Sequence, residues 1–236
     1  MCTLEKRGNI HILTLTGSGE HRLNPDLIDS IQSALHRLRE EPTSPSSVLI
    51  TTAQGKFFSN GYDLAWAGTD PSRNHLMDAK LQSLVADFIS LPMPTIAAVT
   101  GHASAAGMIL ALSHDYVLMR EDRGFLYMSE VDIGLVMPEW FVVLLESKIG
   151  DYNARREVVL MGAKLTGEKA EARGIVHSTH GGAEDTLEAA LKLGQELVRR
   201  GWDGHVYGMN RRVLLRKVLE IIRLNEDQEK KTISKL

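Results

Sequence analysis

The sequence predicts an α/β fold built on a largely parallel sheet. Three observations predict it. Short apolar runs rich in branched residues recur as far as residue 182, helical stretches separate them, and Pro or Gly punctuates the joins. Ile10, Ile12, Leu13 and Leu15 mark an opening strand, closed by Gly17-Ser18-Gly19. Asn24-Pro25 then starts a helix, because Asn caps well and Pro at the first helical position loses no hydrogen bond. Leu27, Ile28, Ile31, Leu35 and Leu38 recur at helical spacing as one inward stripe, and Pro42 and Pro45 end it. Val48-Leu49-Ile50-Thr51-Thr52 reads as a buried strand. A helix follows from Met77 to Leu91, stopped by Pro92 and Pro94. Thr95-Ile96-Ala97-Ala98-Val99 is the next strand, turned at Gly101 into a small-residue helix start, and Asp115 to Met119 is strand again.

From Ala183 to Asn225 the pattern is helical. Leu187, Leu191, Leu197 and Val198 precede Gly201, and Val213, Leu214, Val218 and Leu219 follow it. No internal repeat or linker interrupts the chain. It divides into an α/β core over 1–182 and a helical region over 183–236.

Composition narrows the function. Lys and Arg total 27 against 30 Asp and Glu, a formal net charge of −3, so no long-range positive field attracts nucleic acid or an anionic membrane surface. The single cysteine, Cys2, excludes an intramolecular disulfide and a cysteine-rich zinc site. The nine histidines lack ligand spacing, so no metal is expected. No run reaches the roughly 18 apolar residues that span a bilayer. The first residues lack the apolar segment of a secretory signal. The last three, Ser234-Lys235-Leu236, read as a peroxisomal address, with the import receptor as partner. The phosphate-loop, dinucleotide, metalloprotease-helix and nucleophile-elbow motifs are all absent.

Two segments remain, each placing small residues after a strand where a helix begins. They are Phe58-Ser59-Asn60-Gly61-Tyr62-Asp63-Leu64 and Gly101-His102-Ala103-Ser104-Ala105-Ala106-Gly107. Such turns leave main-chain N–H groups open to a substrate, and two facing each other make an oxyanion hole. The same small residues would also serve plain helix–sheet packing.

Together these segments resemble the two signatures of the crotonase (enoyl-CoA hydratase/isomerase) superfamily. Glu130-Val131-Asp132-Ile133-Gly134-Leu135, Ile149-Gly150 and Gly174-Ile175-Val176-His177 fall where that family has further motifs. The resemblance implies a repeated ββα spiral core, C-terminal helices that support a homotrimer or hexamer, and an acyl-CoA substrate. Coenzyme A is then part of the substrate, and no separate cofactor is implied. The thioester oxygen would sit between the amides of Tyr62 and Ala106, with Ser59, Asn60, Gly61, Asp63 and Gly107 around it. Ala105-Ala106 stands where the family commonly has glycines, and Ala106 keeps its donor provided its φ stays negative.

The family's hydratases use two glutamates. The first falls here on Ile109, which cannot move a proton, and the second on Glu130. One carboxylate suffices to take the α-proton of a 3-enoyl thioester and return it at the γ-carbon. The expected reaction is therefore a 3-enoyl to 2-enoyl-CoA shift in peroxisomal β-oxidation. Val131, Ile133, Leu135 and Met137 are expected to desolvate Glu130 and raise its pKa. Glu139, in Pro138-Glu139-Trp140, is the alternative base. Lys56, Arg7, Arg212 and Lys217 are candidates for the CoA phosphates, and Ala65, Trp66 and Met77 for apolar walls. A hydratase, a hydrolase, a dienoyl-CoA isomerase using Asp132, and a silent acyl-CoA binder are the competing readings.

Overall fold

A computed structural model describes residues 1–17, 19–40 and 46–233. Ser18, Pro42, Pro45 and the tripeptide Ser234-Lys235-Leu236 fall outside the described residues. Six strands form the larger sheet: β1 (Cys2–Arg7), β2 (Ile10–Leu15), β3 (Val48–Ala53), β5 (Thr95–Val99), β7 (Tyr116–Arg120) and β9 (Ser178–His180), side by side in that order. From β2 to β9 every pairing is parallel, as expected, and only β1–β2 is antiparallel. β1 was not anticipated. Its alternating, mostly exposed pattern suits an edge strand with charged outward residues.

Three short strands make a second sheet, β4 (Phe57–Ser59), β6 (His102–Ser104) and β8 (Leu126–Tyr127), all parallel. Each follows a strand of the large sheet within a few residues, so the chain repeats a long-strand, short-strand unit three times. Helices then return the chain: α1 (Pro25–Glu40), α2 (Leu64–Ala67) with α3 (Pro71–Ile89), and α4 (Ala106–Leu112). Asn24 caps α1 through a bond from the Leu27 N–H to its Oδ1 at 3.0 Å. α3 starts at Pro71, six residues before the expected Met77, because Asp70 and Pro71 form a cap-and-N1 pair.

A 3₁₀ turn (Val131–Ile133), α5 (Glu139–Lys148), α6 (Tyr152–Met161) and α7 (Gly167–Ala172) complete the middle of the chain. α8 (Ala183–Arg199) lies on the large sheet, burying Ala190 and Leu197 against Ile12, Ile50, Ile96 and Leu118. α9 (Gly204–Leu214) and α10 (Arg216–Ile233) turn to the other side, where Leu215, Val218 and Ile222 join the main core. α10 packs on both α3 and α5.

One buried histidine gives the fold a pH dependence. His114 donates from Nδ1 to the Leu110 carbonyl at 3.0 Å and accepts at Nε2 from the Thr51 hydroxyl at 2.7 Å. Burial disfavours its charged form and lowers its pKa from 6.5 to about 4. The unfolded chain therefore binds the extra proton first as pH falls through 6.5. This stabilisation is full above 6.5 and is lost towards pH 4. Between pH 7 and pH 5 it should remove about 2 kcal/mol of unfolding free energy, read by urea titration at the two pH values.

Candidate active site

The two small-residue turns meet. Gly61, at φ +73°, lies so close to the second segment that an added Cβ would sit 3.0 Å from the Ser104 carbonyl and 3.2 Å from the Ala105 Cβ. Gly107 closes the contact from the other side, where a Cβ would collide with the Ser59 carbonyl. Only glycine fits at either position, so both turns are held at backbone contact distance.

Two main-chain donors, the N–H groups of Tyr62 and Ala106, belong to these turns. Leu23 forms a parallel bridge with Tyr62 through its N–H to the Gly61 carbonyl (2.8 Å) and its carbonyl to the Asp63 N–H (3.1 Å). In such a bridge the central residue's own N–H turns away from the partner. Ala106 is the first residue of α4, so its N–H is among those a helix start leaves without an intrahelical acceptor. The departure from glycine is carried by its neighbour. Ala105 has φ +50° and ψ −122°, a conformation that costs an alanine on the order of 1–3 kcal/mol. The strain sits at the turn that aims the Ala106 amide.

Glu130 arrives from β8. The Tyr127 carbonyl accepts the Ala105 N–H at 2.8 Å, and Glu130 follows three residues later, at most about 11 Å of chain. The side chain is 8% exposed, and among the described residues its Oε2 has no hydrogen-bond partner. Burial raises its pKa above the ordinary glutamate value, opposed in part by bonds from the backbone of Glu130 and Ser129. The expected cause was different. Val131, Ile133 and Leu135 are 49%, 54% and 50% exposed, so they do not enclose the carboxylate. The 3₁₀ turn closes through the Ile133 and Leu135 N–H groups on the Glu130 carbonyl, turning Glu130 inward while these residues face out.

The other candidates separate. Glu139 is exposed at the first turn of α5, and Asp132 is exposed beside Gly162. Ile109 is fully buried in α4. Ser59 donates to the His21 carbonyl at 2.8 Å, and the Asn60 amide lies 3.4 Å from Glu20. The Asp63 carboxylate caps α2 through the Trp66 N–H (3.1 Å) and accepts from Asn24 (3.2 Å). Met77 is fully buried, Trp66 stacks under Arg73, and Ala65 is exposed. Lys56 is exposed beside a cavity of about 560 Å³ that His102, Arg120 and Arg123 also line. Arg7 pairs with Glu5 on the edge strand, and Arg212 and Lys217 are exposed on the C-terminal helices. Among the described residues no group of three His, Cys, Asp or Glu is placed to hold a metal ion, and no helix is long and apolar enough to cross a membrane.

Sequence reasoning missed one polar cluster. Asp78 on α3 accepts at Oδ1 from the Tyr62 hydroxyl (2.8 Å) and the Trp140 indole (3.0 Å), and at Oδ2 from Gln82 (2.8 Å). Gln82 in turn accepts from Asn225 at 2.9 Å. Asp78 and Gln82 stand one helical turn apart, but Tyr62, Trp140 and Asn225 come from distant parts of the chain, and no spacing rule links them to Asp78.

Residues 5–213 match the family model described as enoyl-CoA hydratase/isomerase. The chain belongs to that family. Curated relatives extend the match beyond the core. The chain is 64% identical over 219 residues to enoyl-CoA delta isomerase 1, peroxisomal, of Arabidopsis thaliana, covering 93% of this chain and 91% of the relative. It is 52% identical over 231 residues to that plant's enoyl-CoA delta isomerase 2, peroxisomal, covering 95% and 96%. Among solved structures, human mitochondrial delta3-delta2-enoyl-CoA isomerase superposes with a TM-score of 0.86 at 19% identity, over 98% of this chain and 89% of that one. At that identity the likeness establishes the crotonase-type fold, which is the architecture expected from the sequence. In this family member the spiral core is the pair of sheets described above.

Proposed function

We propose that the chain is an enoyl-CoA delta isomerase that moves the double bond of a 3-enoyl-CoA to the 2-position. The observation that carries the mechanism is one buried carboxylate, Glu130, whose Oε2 has no hydrogen-bond partner among the described residues, on a site whose position 109 is a core isoleucine. Identity to the curated delta isomerases supports the reaction class. Glu130 takes a proton from C2, and the electrons of that C–H bond move into the C1–C2 bond while the thioester oxygen becomes an enolate. The Tyr62 and Ala106 amides bind that oxygen, which carries more charge in the transition state than in the substrate. The C3–C4 π electrons then take the proton back from Glu130 at C4, the enolate's C1–C2 π electrons move to C2–C3, and the thioester carbonyl is restored. No water enters the product, in keeping with a site that has lost the second proton-handling side chain.

The test is isomerisation of a 3-enoyl-CoA in D₂O. Formation of the conjugated thioester supports the reading, and the share of deuterium at C4 reports how far Glu130 exchanges its proton with solvent before returning it. Binding without isomerisation, or efficient addition of water to a 2-enoyl-CoA, overturns it.

The proposed setting is the peroxisome, supported by the names of the two relatives, with Ser234-Lys235-Leu236 as the receptor-read segment. Self-association is proposed from the surface. Val131, Ile133, Leu135, Leu160 and Met161 are all about half exposed or more, Val136 is 95% exposed, and the 3₁₀ turn packs on α6, so these apolar groups lie on neighbouring elements. Copies of the same chain, as a trimer or hexamer, would cover them. Sedimentation of a species of one chain's mass at micromolar concentration would contradict this.

A further inference from the structure

We propose that Asp78 is a positioning residue for the isomerase reaction, holding Tyr62 so that its main-chain N–H stays on the thioester oxygen. The proposal rests on the isomerase reading above. Tyr62 is tied down twice. Its backbone is fixed by the bridge with Leu23, and its side chain by the 2.8 Å bond from its hydroxyl to Asp78 Oδ1. The bridge holds the residue from the Leu23 side, and the bond from the tyrosine hydroxyl holds it from α3.

Asp78 suits the task because both of its oxygens are occupied by neutral donors from separate elements. Trp140 brings α5 to Oδ1, Gln82 lies one turn along α3 on Oδ2, and Asn225 brings α10 to Gln82. Trp140 is 1% exposed and stands edge-on to Phe141 at 4.5 Å, so it is a rigid neighbour. Burial raises the Tyr62 phenol's pKa, and the charges of Asp78 and Glu130 raise it further. The phenol therefore remains a donor at any working pH, and it lies within the field of the proposed base as well as of Asp78. A carboxylate is needed at this place. An amide offers one acceptor oxygen, and its NH₂ would face a donor on one side or the other.

The test is a double-mutant cycle on the full chain with D78N, Y62F and the D78N/Y62F pair, assayed on a 3-enoyl-CoA. Y62F removes only the hydroxyl and keeps both the main-chain donor and the ring packing. Displacing an oxyanion donor affects the transition state more than the bound substrate, so each single variant should lose roughly tenfold in kcat with KM changed less than about twofold. The pair should lose the same roughly tenfold, because both changes cut one linkage. Variants with wild-type kcat, or a pair whose losses multiply, would overturn the assignment. So would a loss fully accounted for by a smaller folded fraction, measured by thermal unfolding of the same samples. A wild type inactive on the 3-enoyl-CoA would instead overturn the isomerase reading, so the two failures are distinct.

Discussion

Glu130→Gln should lower kcat for 3-enoyl-CoA isomerisation by roughly 10³-fold, the middle of the range for removing a positioned general base. The substitution is nearly isosteric, and in the folded protein it replaces a buried charge that lacks a partner on Oε2. Stability should therefore hold or rise, and KM should change little, because the amides of Tyr62 and Ala106 still bind the thioester. The wild-type profile adds a second check. Burial raises the Glu130 pKa, and the proposed base works only when ionised, so activity should fall with acid at a higher pH than a solvent-exposed glutamate would give. A Glu130→Gln variant with wild-type kcat would remove Glu130 from the mechanism and direct attention to Glu139, despite its exposure.

Arg211→Ala should destabilise the fold by about 3–5 kcal/mol, the cost of breaking a buried ion pair from one side. The Arg211 side chain is 3% exposed and pairs with Asp115 Oδ2 at 2.6 Å. It also donates to the carbonyls of Ile89, Leu91 and Met93, where α3 ends and β5 is about to begin. Removing the guanidinium strands three carbonyls and takes the charged partner from a carboxylate that also accepts from the Thr95 amide and hydroxyl. Arg211→Lys should recover only part of the loss, because one ammonium cannot reach all four acceptors. Urea titration of the three proteins gives the comparison, and an Arg211→Ala midpoint within error of wild type would refute it.

Much of the fold was legible because its central strands are long apolar runs. Val48 to Thr52 and Thr95 to Val99 are strands in the structure, and both parallel pairings follow from the helices between them. The small sheet was not legible. Its strands are two or three residues long, too short for a period-two pattern to register, although they carry the two turns of the site. The turns themselves were legible because backbone contact demands small residues, and Gly61 and Gly107 are those residues. Glu130 was legible as a retained carboxylate, but the direction of its neighbours was not, since a 3₁₀ turn rotates side chains differently from a strand or an α-helix. Arg211 shows the limit of single-residue reading. The sequence offered the adjacent Arg212 as a candidate ligand for phosphate, while one position earlier the same side-chain type is buried as a structural anchor. Charge alone does not tell the two apart. Helical phase does, once the face that meets the connection from α3 to β5 is known.

The reach of α10 back to Gln82 has a consequence for the order in which the enzyme matures. Synthesis proceeds from the amino end, so both glycine turns and Glu130 leave the ribosome well before Asn225 does. Until the final helix emerges, Gln82 lacks its outer partner, and the Leu215, Val218 and Ile222 side chains are absent from the core. A nascent chain thus carries both turns and the proposed base before the core beneath them is complete.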